Sequence, residues 1–199
     1  MKKILNLIII LLLAVSCTNL TKKGKEFQKF EAYKLEAQII TNKGDINLFL
    51  YPEAAPETVA NFVFLAQNGF YDNLSFHRVE AEVVQGGDPL GNGTGGTGYT
   101  IKDEFDGYLK FTTEGMLAMA NAGPNTSSSQ FFITKIPMTG LNGSYTIFGS
   151  LKSTDDLITV NSLTVGDRIN KIVISGVKSE EFLDNFKDKV AEWSNILSK

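Results

Sequence analysis

Apolar and polar residues alternate along LEAQIIT, residues 35–41, and again along DINLFLY, residues 45–51, with NKG between them. A period of two marks a strand with one buried face, and a short polar, glycine-containing link between two such runs predicts a β-hairpin. The pattern then changes. APETVANFVFLAQNG, residues 55–69, places Val59, Phe62, Val63 and Ala66 on one face of a helix, with Pro56 at its start and Gly69 as its stop. Downstream, short apolar runs broken by glycine fall at 76–79, 83–85, 99–101, 116–120, 130–134, 145–149 and 169–174. Short strands at that spacing predict a mostly antiparallel sandwich or barrel rather than alternating βαβ units. No internal repeat and no second domain is visible. The last stretch, SEEFLDNFKDKVAEWSNILSK, has helical spacing again: Phe182, Phe186, Val190, Trp193 and Leu197 form one stripe, with Ser179 as a suitable N-cap. Such a helix is expected to pack on the domain or on residues 24–34. Holding a partner or substrate is the other reading.

The beginning of the chain follows neither period. MKK is followed by the apolar ILNLIIILLL and then AVSC, the pattern of an export signal whose apolar core is short for a membrane span. It resembles the lipobox of bacterial lipoproteins, with Ala14 where Leu is usual, and that resemblance implies cleavage before Cys17 and lipidation of its thiol. An uncleaved anchor and a plain secretory signal are the alternatives. More than one acyl chain would hold the protein firmly on a membrane. The division expected is a signal peptide over 1–16, a lipidated tether over 17–34, a folded domain over 35–176 and a helical extension over 177–199. Phe27, Phe30 and Tyr33 allow a short helix within the tether. The location expected is the bacterial cell envelope, outside the cytoplasm.

Composition removes several function classes. With 199 residues, 43% hydrophobic and 21% charged, the chain is ordinary for a globular domain with appendages. A formal charge of −3 with scattered lysines leaves no basic footprint for nucleic acid. Cys17 is the single cysteine, so with its sulfur lipidated no thiol remains for disulfides, metal or redox chemistry. The run GNGTGG, residues 91–96, matches G-x-G-x-x-G only formally, because no strand precedes it and no helix follows. The one histidine, His77, lies beside Arg78, one of two arginines. Ser75 is too near His77 for a nucleophile on its own elbow, and His77 with Glu80 or Glu82 lacks the further ligands a metal needs.

What remains is one Arg, amides and apolar side chains. GMLAMANAGPNTSSSQFFITKIP, residues 115–137, adds Met119, Phe131 and Phe132 as apolar surface and Asn121 and Gln130 as uncharged hydrogen-bonding groups. TVANF (58–62), FHRV (76–79), QGGDP (85–89), NGTGG (92–96), MANAGPNTSSSQFFIT (119–134) and LNGSYTIFG (141–149) together resemble the cyclophilin family of peptidyl-prolyl cis/trans isomerases. The resemblance covers about residues 35–176. It implies a mainly β fold, a closed eight-stranded antiparallel barrel with two capping helices, to which the C-terminal helix is an addition. It also implies proline-containing polypeptides as substrates, a monomeric domain, and no cofactor or metal.

The implied chemistry suits the inventory. Rotation about a peptide bond costs about 18–20 kcal/mol because amide resonance must be broken. No bond is made or cut, so neither nucleophile nor metal is required. At mid-rotation the prolyl nitrogen is pyramidal and accepts a hydrogen bond that the planar ground state refuses, so a donor placed there binds the transition state selectively. By resemblance that donor is Arg78, held with the substrate backbone by Gln85. Asn121 and Ala120 contact the substrate main chain, Val83 and Phe132 line the proline slot, and Leu141 and Tyr145 form its rim. His77, pointing the other way on the strand, is structural.

Three departures stand out. Between Arg78 and Gln85 the link VEAEVV is one residue shorter than in the family, and Glu82 stands where a Phe of the proline pocket is usual. The odd separation would send Arg78 and Gln85 to opposite faces of a regular strand, so a turn or bulge around 80–82 is expected, with both glutamates in solvent and a shallower slot. Gly140 replaces a large side chain, often Trp, which bears on binding of cyclosporin. Tyr145 stands where His is common. A binding or chaperone module of the same fold with little turnover is the alternative to an active isomerase.

Overall fold

The computed structural model describes Gly24 and residues 28–198 of the chain. The expected export signal and Cys17 therefore lie outside the described residues. Among those described, no helix is long and apolar enough to cross a membrane.

The first hairpin forms as its pattern demands. β1 (Lys34–Thr41) pairs antiparallel with β2 (Gly44–Leu50), and Leu35, Ala37, Ile39, Ile46, Leu48 and Leu50 all turn to the buried face. Six further strands follow: β3 (Arg78–Val79), β4 (Val83–Gly86), β5 (Met116–Met119), β6 (Phe131–Thr134), β7 (Ile147–Leu151) and β8 (Ile169–Val177). They join in the order β3-β4-β6-β5-β7-β2-β1-β8, with all neighbours antiparallel. The result is a curled eight-stranded sheet with β3 and β8 at its two edges, and this is as far as the strand pairing carries the expectation of a closed barrel. Backbone bonds between the two ends, Phe76 N to Asp167 O at 2.8 Å and Ile169 N to Leu74 O at 2.8 Å, bring the segments next to those edges together. The run at 99–101 is no strand. Only Ile101 makes a bridge, to Ser127.

Two helices flank the sheet, α1 (Pro56–Gln67) and α2 (Thr154–Ser162). Ser153 caps α2, its Oγ accepting from Asp156 N. α1 stops at Gly69, whose φ of 68° is the left-handed conformation glycine adopts freely. The one-faced burial expected for α1 is an underestimate, since every residue from Thr58 to Ala66 is buried. The face turned from the sheet is covered by the C-terminal extension. There Phe182–Phe186 is a 3₁₀ turn and the α-helix proper, α3, runs Lys187–Leu197, so Ser179 is not its cap. Trp193 packs on Phe64 of α1, centroids 5.6 Å apart, and Phe182 packs on Phe30 and Tyr33, at 6.0 and 5.2 Å. Residues 28–31 are helical, as the spacing allowed. The extension thus docks on both the domain and the segment that precedes β1, and it shares their buried cluster.

Candidate functional site

The hairpin β3–β4 decides the geometry. Arg78 pairs with Gln85, and Val79 with Val84, across a link closed by Glu80 N donating to Val83 O at 2.9 Å. Ala81 and Glu82 are therefore a two-residue turn, and the odd separation of Arg78 and Gln85 places them directly opposite, on one face. Neither turn residue has positive φ, unlike the primed turns that usually suit two-residue hairpins. β6 supplies the restraint instead: Lys135 N donates to Glu82 O at 2.7 Å, and Lys135 Nζ to Glu80 O at 3.0 Å.

Register carries the row onward. Gln85 pairs with Phe132, Phe132 with Ala118 and Ala118 with Ile147, so five strands contribute one line of side chains on one face: Arg78, Gln85, Phe132, Ala118 and Ile147. Alternation separates two apolar clusters. Val84, Leu117, Met119, Phe131, Ile133 and Phe148 enter the main core, while their neighbours Val83, Met116, Ala118, Phe132 and Ile147 join Phe111 in a second one. Leu109, Ala120, Met138, Leu141 and Tyr145 pack against that second cluster at its partly exposed side. Phe132 is its floor, stacked by Phe111 at 6.0 Å and met edge-on by Tyr145 at 5.5 Å. Met119 and Phe131, expected on the site's surface, are fully buried on the opposite face. They are one residue out of phase with Ala118 and Phe132.

The guanidinium is held from two sides. Nη1 donates to Gln85 Oε1 at 3.2 Å, while Nε and Nη2 donate to Glu80 Oε1 and Oε2 at 2.9 and 2.7 Å. Among the described residues three of its five N–H groups are thereby engaged and two remain. The Glu80 bonds hold Arg78 even more firmly in its charged form and keep the Glu80 carboxyl below the usual carboxylate range. Glu80 is exposed, yet it belongs to Arg78 and not to solvent alone. Glu82 is half-buried in the turn.

Behind Gln85 runs a relay that sequence reasoning did not assign. Gln85 Nε2 donates to Gln130 Oε1 at 2.8 Å, and Gln130 Nε2 donates to Gly95 O at 2.9 Å and Gly93 O at 3.1 Å. The glycine run is thus a structural loop wound around buried Asp88, whose carboxylate accepts from the backbone N–H groups of Leu90, Asn92 and Gly93. Burial acts to raise the Asp88 carboxyl, but those three bonds outweigh it and the group stays below its ordinary value. A Cβ on Gly95 would lie 2.0 Å from Asp88 Oδ1, so the loop tolerates no side chain there. Gly95 and Gly96 serve close packing, while Gly91 and Gly93 serve positive φ. His77 is half-buried, and burial, with Arg78 beside it, lowers the imidazole against the pull of Asp88. Its ring nitrogens have no hydrogen-bond partner among the described residues.

The sequence-predicted residues therefore converge. Val83, Phe132, Ala120, Leu141 and Tyr145 form the apolar slot, and Arg78 and Gln85 are hydrogen-bonded in the row that crosses Phe132. Asn121 donates to Ser144 O at 2.9 Å and, with Gln85 and Ala120, lines a groove of about 960 Å³. Phe111 and Met138 were not foreseen. They reach the slot from segments without strand periodicity, tied by Met138 N to Phe111 O at 2.8 Å. Among the described residues no group of three His, Cys, Asp or Glu is placed to hold a metal ion.

Fold and site geometry together are those of the cyclophilin class. Residues 36–179 match the family described as cyclophilin type peptidyl-prolyl cis-trans isomerase/CLD, and the chain belongs to that family. Peptidyl-prolyl cis-trans isomerase B of Bacillus subtilis is 48% identical over 139 residues, covering 69% of this chain and 96% of its own length. A peptidyl-prolyl cis-trans isomerase-like 2 protein of Cryptococcus neoformans is 46% identical over 166 residues, or 78% of this chain. That match spans only 28% of the longer fungal protein. The crystal structure of a cyclophilin type isomerase from Cryptosporidium parvum superposes with a TM-score of 0.67 at 37% identity, covering 73% of this chain and 99% of that one. The same Cryptosporidium protein has also been solved in the presence of the dipeptide Ala-Pro.

Proposed function

We propose that the chain catalyses cis/trans isomerisation of Xaa-Pro bonds in polypeptides, with Arg78 as the donor to the twisted imide nitrogen. The observation that carries this reading is the row in which Arg78, fixed by Gln85 and Glu80, stands two strands from Phe132, the floor of an apolar slot. Its two spare N–H groups meet the requirement for a donor already in place, and an Arg held by two partners loses little freedom when the substrate arrives. Gln85 orients Arg78, and Gln130 in turn orients Gln85. Asn121 and Ala120 border the groove beside the slot and take the substrate main chain on one side of the proline. The structure of the Cryptosporidium protein in the presence of Ala-Pro supports a proline-containing ligand for this chain as well.

The test is isomerisation of an Xaa-Pro peptide by the parent and by Arg78→Ala. Loss of one preorganised donor is expected to lower kcat/KM by about 10²-fold. A parent no faster than Arg78→Ala would leave a peptide-binding module in place of the enzyme.

We further propose that Cys17 carries lipid and that a tether ending near β1 holds a monomeric isomerase domain on a membrane of a bacterial envelope, outside the cytoplasm. Support comes from the sequence pattern of residues 1–17. Radiolabelled palmitate incorporated by the parent and absent from Cys17→Ala is the expected result, and label on both would sink it.

A further inference from the structure

The groove beside the slot has one wall whose backing lies outside the family match. Ala120 and Asn121 form one stretch of its lining, and Gly98, Tyr99 and Thr100 form another. That second stretch is a wall of irregular chain without strand or helix to stiffen it. Two ties hold it from the sides: Thr97 N donates to Ser128 Oγ at 2.9 Å, and Tyr99 Oη donates to Asn61 Oδ1 at 2.7 Å.

Behind the wall lies α3. Trp193, 2% exposed, stacks on Tyr99 with centroids 5.6 Å apart and planes 10° from parallel. Ile196 closes against the next residue, its Cγ2 3.3 Å from where a Cβ on Gly98 would stand. An ion pair from Lys189 to Glu57, 3.0 Å, and the Trp193–Phe64 contact fasten the helix to α1. The family match ends at residue 179, so this backing is supplied by residues outside it.

We propose that α3 is the rear support of the substrate groove and that Trp193 is a positioning residue, setting through Tyr99 which side chains next to the proline the isomerase accepts. No charged residue lines the groove, so the side chains it selects are uncharged ones. Tyr99 is the only aromatic residue on this groove's lining, and a ring stacked on a buried indole cannot swing without exposing both. Removing the indole lets the wall recede and the groove lose its shape, while Arg78 keeps its own partners, Glu80 and Gln85, on another part of the sheet.

The inference rests on the isomerase reading for its kinetic test and not for its binding test. For the full chain, kcat/KM is measured on a minimal blocked Xaa-Pro substrate and on longer peptides with different uncharged residues beside the proline. In Trp193→Leu the ratio of extended to minimal substrate is expected to fall roughly five- to tenfold, with partial rescue in Trp193→Phe. Proportional loss on both substrates, or an unchanged ratio, overturns the proposal. Trp193 is the only tryptophan in the chain, so its emission reports the wall directly. Titrating the extended peptide into Arg78→Ala is expected to shift that emission even without turnover. An extended peptide that binds by calorimetry and leaves the emission unchanged overturns the proposal independently. A parent inactive beside Arg78→Ala with a responsive Trp193 defeats the isomerase reading alone.

Discussion

Glu80 is the residue at which this site departs from a plain Arg–Gln pair. Its fork on Arg78 is exposed on both sides, with about half of each side chain accessible. Exposed pairs are weak, so Glu80→Gln, which leaves one neutral acceptor, is expected to lower kcat by only about two- to fivefold with KM nearly unchanged. Raising the salt to about 1 M, where the screening length is about 3 Å, should bring the parent down toward the variant. A variant with raised kcat would mean that the carboxylate restrains Arg78 from the imide rather than aiming it. At this scale the sequence was informative wherever the family motif names a position, as for Arg78, Gln85 and Phe132. It was uninformative where a residue's partner depends on a turn: the two-residue link sends Glu80 back to Arg78, and nothing in VEAEVV announces that. Gln130 was visible as a polar group without a task, because its partner Gln85 lies 45 residues away in the chain.

Among the elements, α1 shows how a missing local signal is replaced from a distance. Ala55 occupies its N-cap and offers no side-chain bond. Glu104 does so instead: Oε1 accepts from Glu57 N at 3.1 Å, and Oε2 from Thr58 N and Thr58 Oγ1, both at 2.7 Å. Pro56 has no N–H, so the amides of Glu57 and Thr58 are the first two N–H groups of the helix, left without partners by its geometry. Glu104→Ala is therefore expected to cost about 1–2 kcal/mol in chemical denaturation, and an unchanged midpoint would show that water replaces the cap. Burial raises the Glu104 carboxyl although Thr58 and the two N–H groups oppose it. The folded state then holds the proton at higher pH than the unfolded one. This group's contribution to stability therefore grows as pH falls through its raised folded value and is complete below its ordinary one. In Glu104→Gln that pH-dependent increment should disappear from the denaturation midpoints, and its persistence would assign it to another group. The helix itself was legible from Pro56 to Gly69. Its cap was not, since no local spacing links Glu104 to Thr58, and neither was its all-round burial, which needs Trp193 from the far end of the chain.

For the whole molecule, the hydrophobic periods predicted the hairpin, the antiparallel character and the C-terminal helix. The order of the strands was beyond them, because the middle strands are two to five residues long and their neighbours are set by register. The extension also reads differently once folded. Phe182 is fully buried, meets Phe30, Tyr33 and Phe186, and belongs to the same core as the sheet. Phe182→Ala is expected to lower stability by about 3–5 kcal/mol in a single transition, followed by near-ultraviolet circular dichroism and by tryptophan emission together. A separate early step in the emission alone would make the extension a peripheral unit.

That aromatic clasp also has a mechanical meaning. Residues 28–33 lead straight into β1, which lies inside the sheet, laddered to β2 on one edge and to β8 on the other. A pull on the chain ahead of them first meets Phe30, wedged among Phe182, Phe186 and Tyr33. Behind that latch lies β1, which is held along two ladders at once. Through β8, whose first residue Ile169 is bonded to Leu74 ahead of β3, the same load passes toward the site on β3 and β4.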